Sequence, residues 1–137
     1  MPEAGTSGGD TLPRNEKPRI LVVDDEPDVL DVIRALLAEA GFDVTAYSSA
    51  TEALHRAKVR RFDAIVLDLY MPEMSGLLFH AKLKVFNPKL AARTLFVSGY
   101  VSKEEVRQYL TTNARFLQKP FDSSELVQAV GELVSGG

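Results

Sequence analysis

The 137-residue chain contains no cysteine, which excludes disulfides, thiolate metal centres and a cysteine nucleophile, and suits a reducing compartment. No apolar run approaches the ~20 residues of a membrane-spanning helix, and the N-terminus lacks the apolar core of a secretion signal. A basic excess is missing too: 16 Lys+Arg stand against 19 Asp+Glu, a formal net charge of -3. That balance argues against binding nucleic acid or a membrane surface through bulk charge. There is no internal repeat on the solenoid scale, and no glycine-rich phosphate loop follows the first apolar run, which disfavours flavin or nucleotide binding. What remains is a chain of one-domain size with 45% hydrophobic residues. A fold of this mass buries roughly two-thirds of the surface its unfolded chain exposes, enough for a real core.

Residues 1–18 are rich in Gly, Pro, Ser and Thr without apolar periodicity, and are expected to form a disordered tail or linker. The domain is expected over 19–134, with 135–137 as a short C-terminal tail. Within it, apolar runs alternate with helical patterns. Strands are expected at Ile20 to Val23, Val44 to Tyr47, Ala64 to Leu67, Thr94 to Val97 and Arg115 to Gln118. Between them lie a helix carrying Leu30, Ile33, Leu36, Leu37 and Ala40 and closed by Gly41, and helices over Ala50 to Val59, Leu77 to Phe86 and Lys103 to Leu110. A last helix is expected over Ser123 to Val134, and Asn87-Pro88 is read as the end of the third. Continuous apolar strands alternating with helices predict a parallel sheet covered on both faces by right-handed crossovers, a doubly wound α/β class with five strands.

Ligands of such sheets bind beyond the carboxyl ends of the strands. Asp24, Asp25 and Glu26 follow the first strand, Asp68 the third, Ser98 and Gly99 the fourth, and Lys119 and Pro120 the fifth. Each has an ordinary explanation taken singly. Acidic residues before Pro27 complement a helix start, Asp68 can open a turn, Ser98-Gly99 can be a turn, and Lys119 can be a solvated surface lysine. Their shared placement at carboxyl ends is what those explanations leave out. If these strands adjoin, three carboxylates, a hydroxyl and an ammonium share one pocket. Crowded carboxylates raise one another's pKa unless a cation is present, and hard oxygen ligands suit Mg²⁺, which completes its shell with phosphate. A carboxylate can also act as the nucleophile and become an aspartyl phosphate.

The runs ILVVDDEP, AIVLDLYMPEMSG, LFVSG and FLQKPF resemble the receiver domain of bacterial two-component response regulators over about residues 19 to 134. The resemblance implies a flavodoxin-like receiver fold with strand order 2-1-3-4-5. It implies that Asp68 is the phosphoacceptor, taking a phosphoryl group from a phosphohistidine on a partner histidine kinase or phosphotransfer protein. Asp24, Asp25, Asp68 and the backbone carbonyl of Tyr70 would hold Mg²⁺ (or Mn²⁺). Lys119 would pair with the phosphoryl oxygens, Ser98 would hydrogen-bond one of them, and Phe116 would turn inward as the aromatic switch. The Lys119-Pro120 bond would be cis. The output face would be the helix over 103–110, the fifth strand and the last helix, where a homodimer or effector would dock. A cytoplasmic bacterial setting follows from the same resemblance, with no direct nucleic-acid binding and no membrane insertion.

Some positions vary from the commoner pattern. Ser98 stands for threonine, Phe116 lacks a tyrosine hydroxyl, Tyr70 is bulky, Tyr100 is aromatic, and Thr111-Thr112-Asn113-Ala114 lacks a glycine-alanine pair. Tyr70 and Tyr100 flank the path of a hydrolytic water and are expected to shield the aspartyl phosphate; the ordinary alternative is outward packing against a partner. His55 and His80 are expected to pack at the surface or an edge. An aspartyl-nucleophile phosphatase of the haloacid-dehalogenase type would want an aspartate where Tyr70 stands. A degenerate receiver serving only as an interaction module would not need Asp24, Asp25, Asp68, Ser98 and Lys119 together. Since the sequence stops soon after the last helix, no effector is expected within it. A stand-alone regulator, an excised receiver and the terminal receiver of a hybrid kinase all fit.

Overall fold

In the computed structural model, residues 16–99, 104, 108 and 115–136 are described. Tyr100, the loop 111–114 and nearly all of the helix expected over 103–110 lie outside them; Glu104 and Gln108 are helical. The elements are β1 (Arg19–Val23), α1 (Pro27–Glu39), β2 (Asp43–Tyr47), α2 (Ala50–Val59), β3 (Ala64–Asp68), α3 (Gly76–Phe86), α4 (Pro88–Ala91), β4 (Thr94–Ser98), β5 (Arg115–Gln118) and α5 (Ser123–Gly136). All strand pairs are parallel, and the order is β2-β1-β3-β4-β5.

The period-2 geometry of a strand sends alternate side chains to opposite faces, and this splits the core into two layers. Leu21 and Val23 of β1, Ile65 and Leu67 of β3, and Phe96 of β4 pack with Ala53, Leu54, Phe79 and Leu83 of α2 and α3. Ile20, Val22, Ala64, Val66, Leu95 and Val97 face the other way, onto Ile33 and Leu37 of α1 and Leu126 and Val130 of α5. Because both faces are covered, β1, β3 and β4 read as unbroken apolar runs. Each fully buried Leu or Ile stabilises the fold by roughly 1.5–3 kcal/mol. The edge strands β2 and β5 are only partly buried, and their sequences are accordingly mixed.

The helix starts follow from local chemistry. Pro27 opens α1, while the Ser49 and Ser75 hydroxyls accept the Glu52 and Leu78 N–H groups to cap α2 and α3. Gly41, at φ 101°, lets the chain leave α1 for β2. Two differences from the sequence reading have clear causes. Asn87-Pro88 does end α3, but the Asn87 carboxamide accepts the Leu90 N–H and Pro88 sits at the first helical position, so the same pair starts the one-turn α4. The last helix continues to Gly136, with Ser135 donating to the Gly131 carbonyl. His80 is also not at a surface or edge. It is buried, its Nε2 2.9 Å from the Ala91 carbonyl and its ring edge-on to Phe96. His55 is exposed.

Candidate functional site

The strand order places the ends of β1, β3, β4 and β5 side by side, and the register brings their polar residues to one level. Val23 pairs with Leu67, Asp68 with Val97, and Ser98 with Gln118, so Asp24, Asp68, Ser98 and Lys119 all emerge at the carboxyl edge. The Lys119 N–H donates to the Ser98 carbonyl at 2.9 Å, which ties the two connections together. The Lys119-Pro120 bond is cis.

Asp24, Asp25 and Asp68 each offer a carboxylate oxygen, and these atoms lie within 4.8 Å of one another. Asp24 has no solvent exposure, Asp68 is buried and Asp25 is half-buried. Two side-chain contacts fix Asp24. Asp24 Oδ1 accepts the Glu26 N–H at 2.9 Å, closing the turn into α1, and Asp24 Oδ2 takes the Lys119 ammonium at 2.9 Å. The same ammonium lies 3.6 Å from Asp68 Oδ1 and 3.4 Å from Glu26 Oε1. Lys119 thus bridges β1, β3 and β5 as the cation of a largely buried cluster.

Removal from water and crowding set the electrostatics. Burial, then the Asp24 charge, push the Asp68 carboxyl up from 3.8 to about 7, with Lys119 pulling it down and a hydrogen bond with Asp25 adding to the rise. Burial works against the Lys119 ammonium, but the Asp24 hydrogen bond and the Asp24 and Asp68 charges outweigh it, so its pKa is raised. A site with surplus negative charge on hard oxygen atoms fits a divalent cation such as Mg²⁺. A second cation there would lower the Asp68 pKa and expose a carboxylate nucleophile.

Of the other residues singled out in the sequence, Ser98 is buried at the end of β4. Phe116 is partly buried against the core layer beneath α2 and α3. Tyr70 is 46% exposed, immediately after the buried Leu69, and Tyr100 lies outside the described residues. Three supporting roles were not read from the sequence. Glu26 is the third carboxylate around Lys119. Gly76 brings the start of α3 against β3: a Cβ there would fall on the Asp68 carbonyl oxygen, well inside contact distance, and the Gly76 N–H donates to the Leu69 carbonyl. Glu73 accepts the Ser49 hydroxyl and the Thr51 N–H, pinning the loop after Asp68 to the start of α2. A glycine just after a capping serine hints at the second role; no local pattern announces the other two.

Residues 20–131 match the family model described as the response regulator receiver domain. The chain is 35% identical over 108 residues to the transcriptional regulatory protein ZraR of Escherichia coli O157:H7, covering 78% of this chain and 24% of that protein. It is 35% identical over 117 residues to the transcriptional regulatory protein PrrA of Mycobacterium leprae, covering 85% of this chain and 50% of that one. The chain therefore spans a quarter to a half of the length of these relatives. Among solved structures, a CheY-like response regulator receiver domain protein from Methanospirillum hungatei JF-1 superposes with a TM-score of 0.80. It is 26% identical, with 88% of this chain and 96% of that chain covered. The receiver domain of the Francisella response regulator 1452 gives 0.77 at 28% identity, covering 88% and 98%. With the parallel order, the three-aspartate cluster and the family match in agreement, this chain belongs to the response regulator receiver domain family of two-component signal transduction.

Proposed function

We propose that this receiver accepts a phosphoryl group on Asp68 from a phosphohistidine of a partner histidine kinase or phosphotransfer protein. The observation that carries the reading is the convergence of Asp24, Asp25 and Asp68 within 4.8 Å, with the Lys119 ammonium beside them. An Asp68 oxygen attacks phosphorus, the P–N bond breaks, and its electron pair leaves with the imidazole nitrogen, giving an aspartyl phosphate. The chain supplies position and charge rather than further covalent chemistry. Asp24, Asp25, Asp68 and the Tyr70 carbonyl would hold Mg²⁺ or Mn²⁺, which supplies positive charge against the phosphoryl oxygens. Lys119, already within reach of Asp68, pairs with an oxygen of the new phosphoryl group, and the Ser98 hydroxyl hydrogen-bonds another. Phe116, on the strand next to Ser98, follows that movement inward and passes it to the face of β5 and α5, where an effector or a second copy docks. Hydrolysis reverses the state when water attacks phosphorus, and the exposed Tyr70 ring, with Tyr100, shields that approach.

The domain is thus a signalling module that catalyses its own phosphorylation and dephosphorylation and turns over no metabolite. No helix among the described residues is long and apolar enough to cross a membrane, and a cytoplasmic setting suits a kinase partner. Incubation with Mg²⁺ and acetyl phosphate, followed by intact mass, tests the reading. A single phosphate adduct, lost in Asp68→Asn and on chelation, is expected. An adduct that persists in Asp68→Asn would overturn it. Slower decay in the wild type than in Tyr70→Asn is the corresponding expectation for shielding, and equal decay removes that role.

A further inference from the structure

At the opposite end of the sheet, where strands begin, the loops leading into β3 and β4 form a cleft of about 240 Å³. Its polar lining is Arg61, Asp63, Asn87, Lys89 and Arg93, over the buried ring of Phe62. Nearly every polar group there is a donor. Asp63 is the one carboxylate, and both its oxygens are in use: Oδ2 accepts the Arg19 N–H at 2.8 Å and Oδ1 faces Arg61 Nη2 at 3.4 Å. Asn87 is oriented by its role as the cap of α4. Its Oδ1 accepts the Leu90 N–H at 3.1 Å, which orients the carboxamide and leaves its N–H groups as donors. Arg93 makes no ion pair among the described residues. The cleft is therefore lined by three cationic side chains, of which Arg61 already faces Asp63, together with an oriented amide and a single carboxylate, in a chain whose overall charge is -3. The arginines also stand in connecting loops beyond the ends of α2 and α4, so they are not last-turn residues compensating a helix dipole.

A donor-rich, cation-rich cleft is complementary to a ligand that carries acceptors and several negative charges. Arginine pairs bind tetrahedral oxyanions through paired N–H donors, and the bounded volume suits a compact group rather than a long polymer. A neighbouring cleft that shares Arg61 is of mixed charge, with Lys17, Arg19 and Arg60 facing Glu16 and Asp43, so the cationic excess is concentrated in the first. We propose that this cleft is a binding site for the polyphosphate group of a small phosphorylated metabolite, remote from the three-aspartate cluster and independent of it.

The test is a titration of the ¹⁵N-labelled full chain with sodium tripolyphosphate at low ionic strength in the presence of chelator. Saturable shifts confined to the amides of Arg61, Asp63, Asn87, Lys89 and Arg93 are expected. The double variant Arg61→Ala/Arg93→Ala should weaken binding at least about tenfold. Removing the same formal charge from α3 by Lys82→Ala/Lys84→Ala should leave binding within about twofold. Arg93→Ala alone touches neither Asp63 nor the aspartate cluster, so it keeps the test valid should loss of Arg61 disturb the loop. Labelling by acetyl phosphate should be unchanged in every variant. Shifts that do not saturate, equal weakening by both double variants, or tighter binding of a single-stranded oligonucleotide at the same amides would each overturn the proposal.

Discussion

The two ends of this sheet are built from the same kind of connection, yet they hold charge in opposite ways. At the carboxyl end, Asp24, Asp68 and Lys119 are withdrawn from water and tied to one another, with Lys119 16% and Asp24 0% exposed at the side chain. At the amino end, Arg61 and Arg93 from two connecting loops and Lys89 from the one-turn α4 line an open cleft. Burial makes the first cluster costly unless every charge is answered, and it displaces the Asp68 pKa to about 7. Contact with solvent leaves the second with little effect on stability. A polar cluster that carries strain in the free protein is poised for chemistry, whereas one that carries none is suited to reversible binding.

Substitutions can break this contrast in graded steps. Gly76→Ala should destabilise the chain most, by about 3 kcal/mol in urea unfolding, because the new methyl group meets backbone rather than a movable side chain. Lys119→Ala should cost a comparable ~3 kcal/mol in chelator, since it leaves Asp24 buried beside Asp68 without its cation. Added Mg²⁺ should restore much of that loss, and the same urea titration run with and without metal would show it.

A smaller effect is tied to pH. The folded Asp68 value of about 7 lies above the ordinary 3.8, so its favourable contribution is complete below about pH 4 and is lost as pH rises through 7. In metal-free solution, Asp68→Asn should therefore be more stable than the wild type above pH 7, by on the order of 1–2 kcal/mol after solvent screening. The gap should close near pH 4, and a gap that does not change with pH would show that Asp68 is not perturbed. At the other pole, Arg93→Ala should move stability by no more than about 0.5 kcal/mol at any pH. A larger loss would mean that the amino-end charges also hold the fold together.

Much of the architecture was legible because the buried strands leave a plain mark. Ile20 to Val23, Ala64 to Leu67 and Leu95 to Val97 are continuous apolar runs since both sheet faces are covered, and each stops where the polar residues begin. The aspartates, Ser98 and Lys119 could be placed for the same reason: strand ends are local, and parallel order stacks them. The helix α4 was missed because a single turn has no periodicity and Asn-Pro reads equally as a stop or a start. The burial of His80 depends on α4 and β4 lying over it, which no pattern within its own helix records. Contacts between loops, such as Lys119 with Glu26 or Glu73 with Ser49, and the gathering of Arg61, Lys89 and Arg93, join residues far apart along the chain. They emerge only when the sheet order brings those loops together.

The central claim is that Asp68, rather than its acidic neighbours, carries the phosphoryl group. Borohydride reduction of the acetyl-phosphate-treated protein converts an aspartyl phosphate to homoserine, and peptide sequencing by mass spectrometry then locates it. The account predicts homoserine at position 68 and unmodified Asp24 and Asp25. Homoserine at 24 or 25, with Asp68 intact, would contradict it.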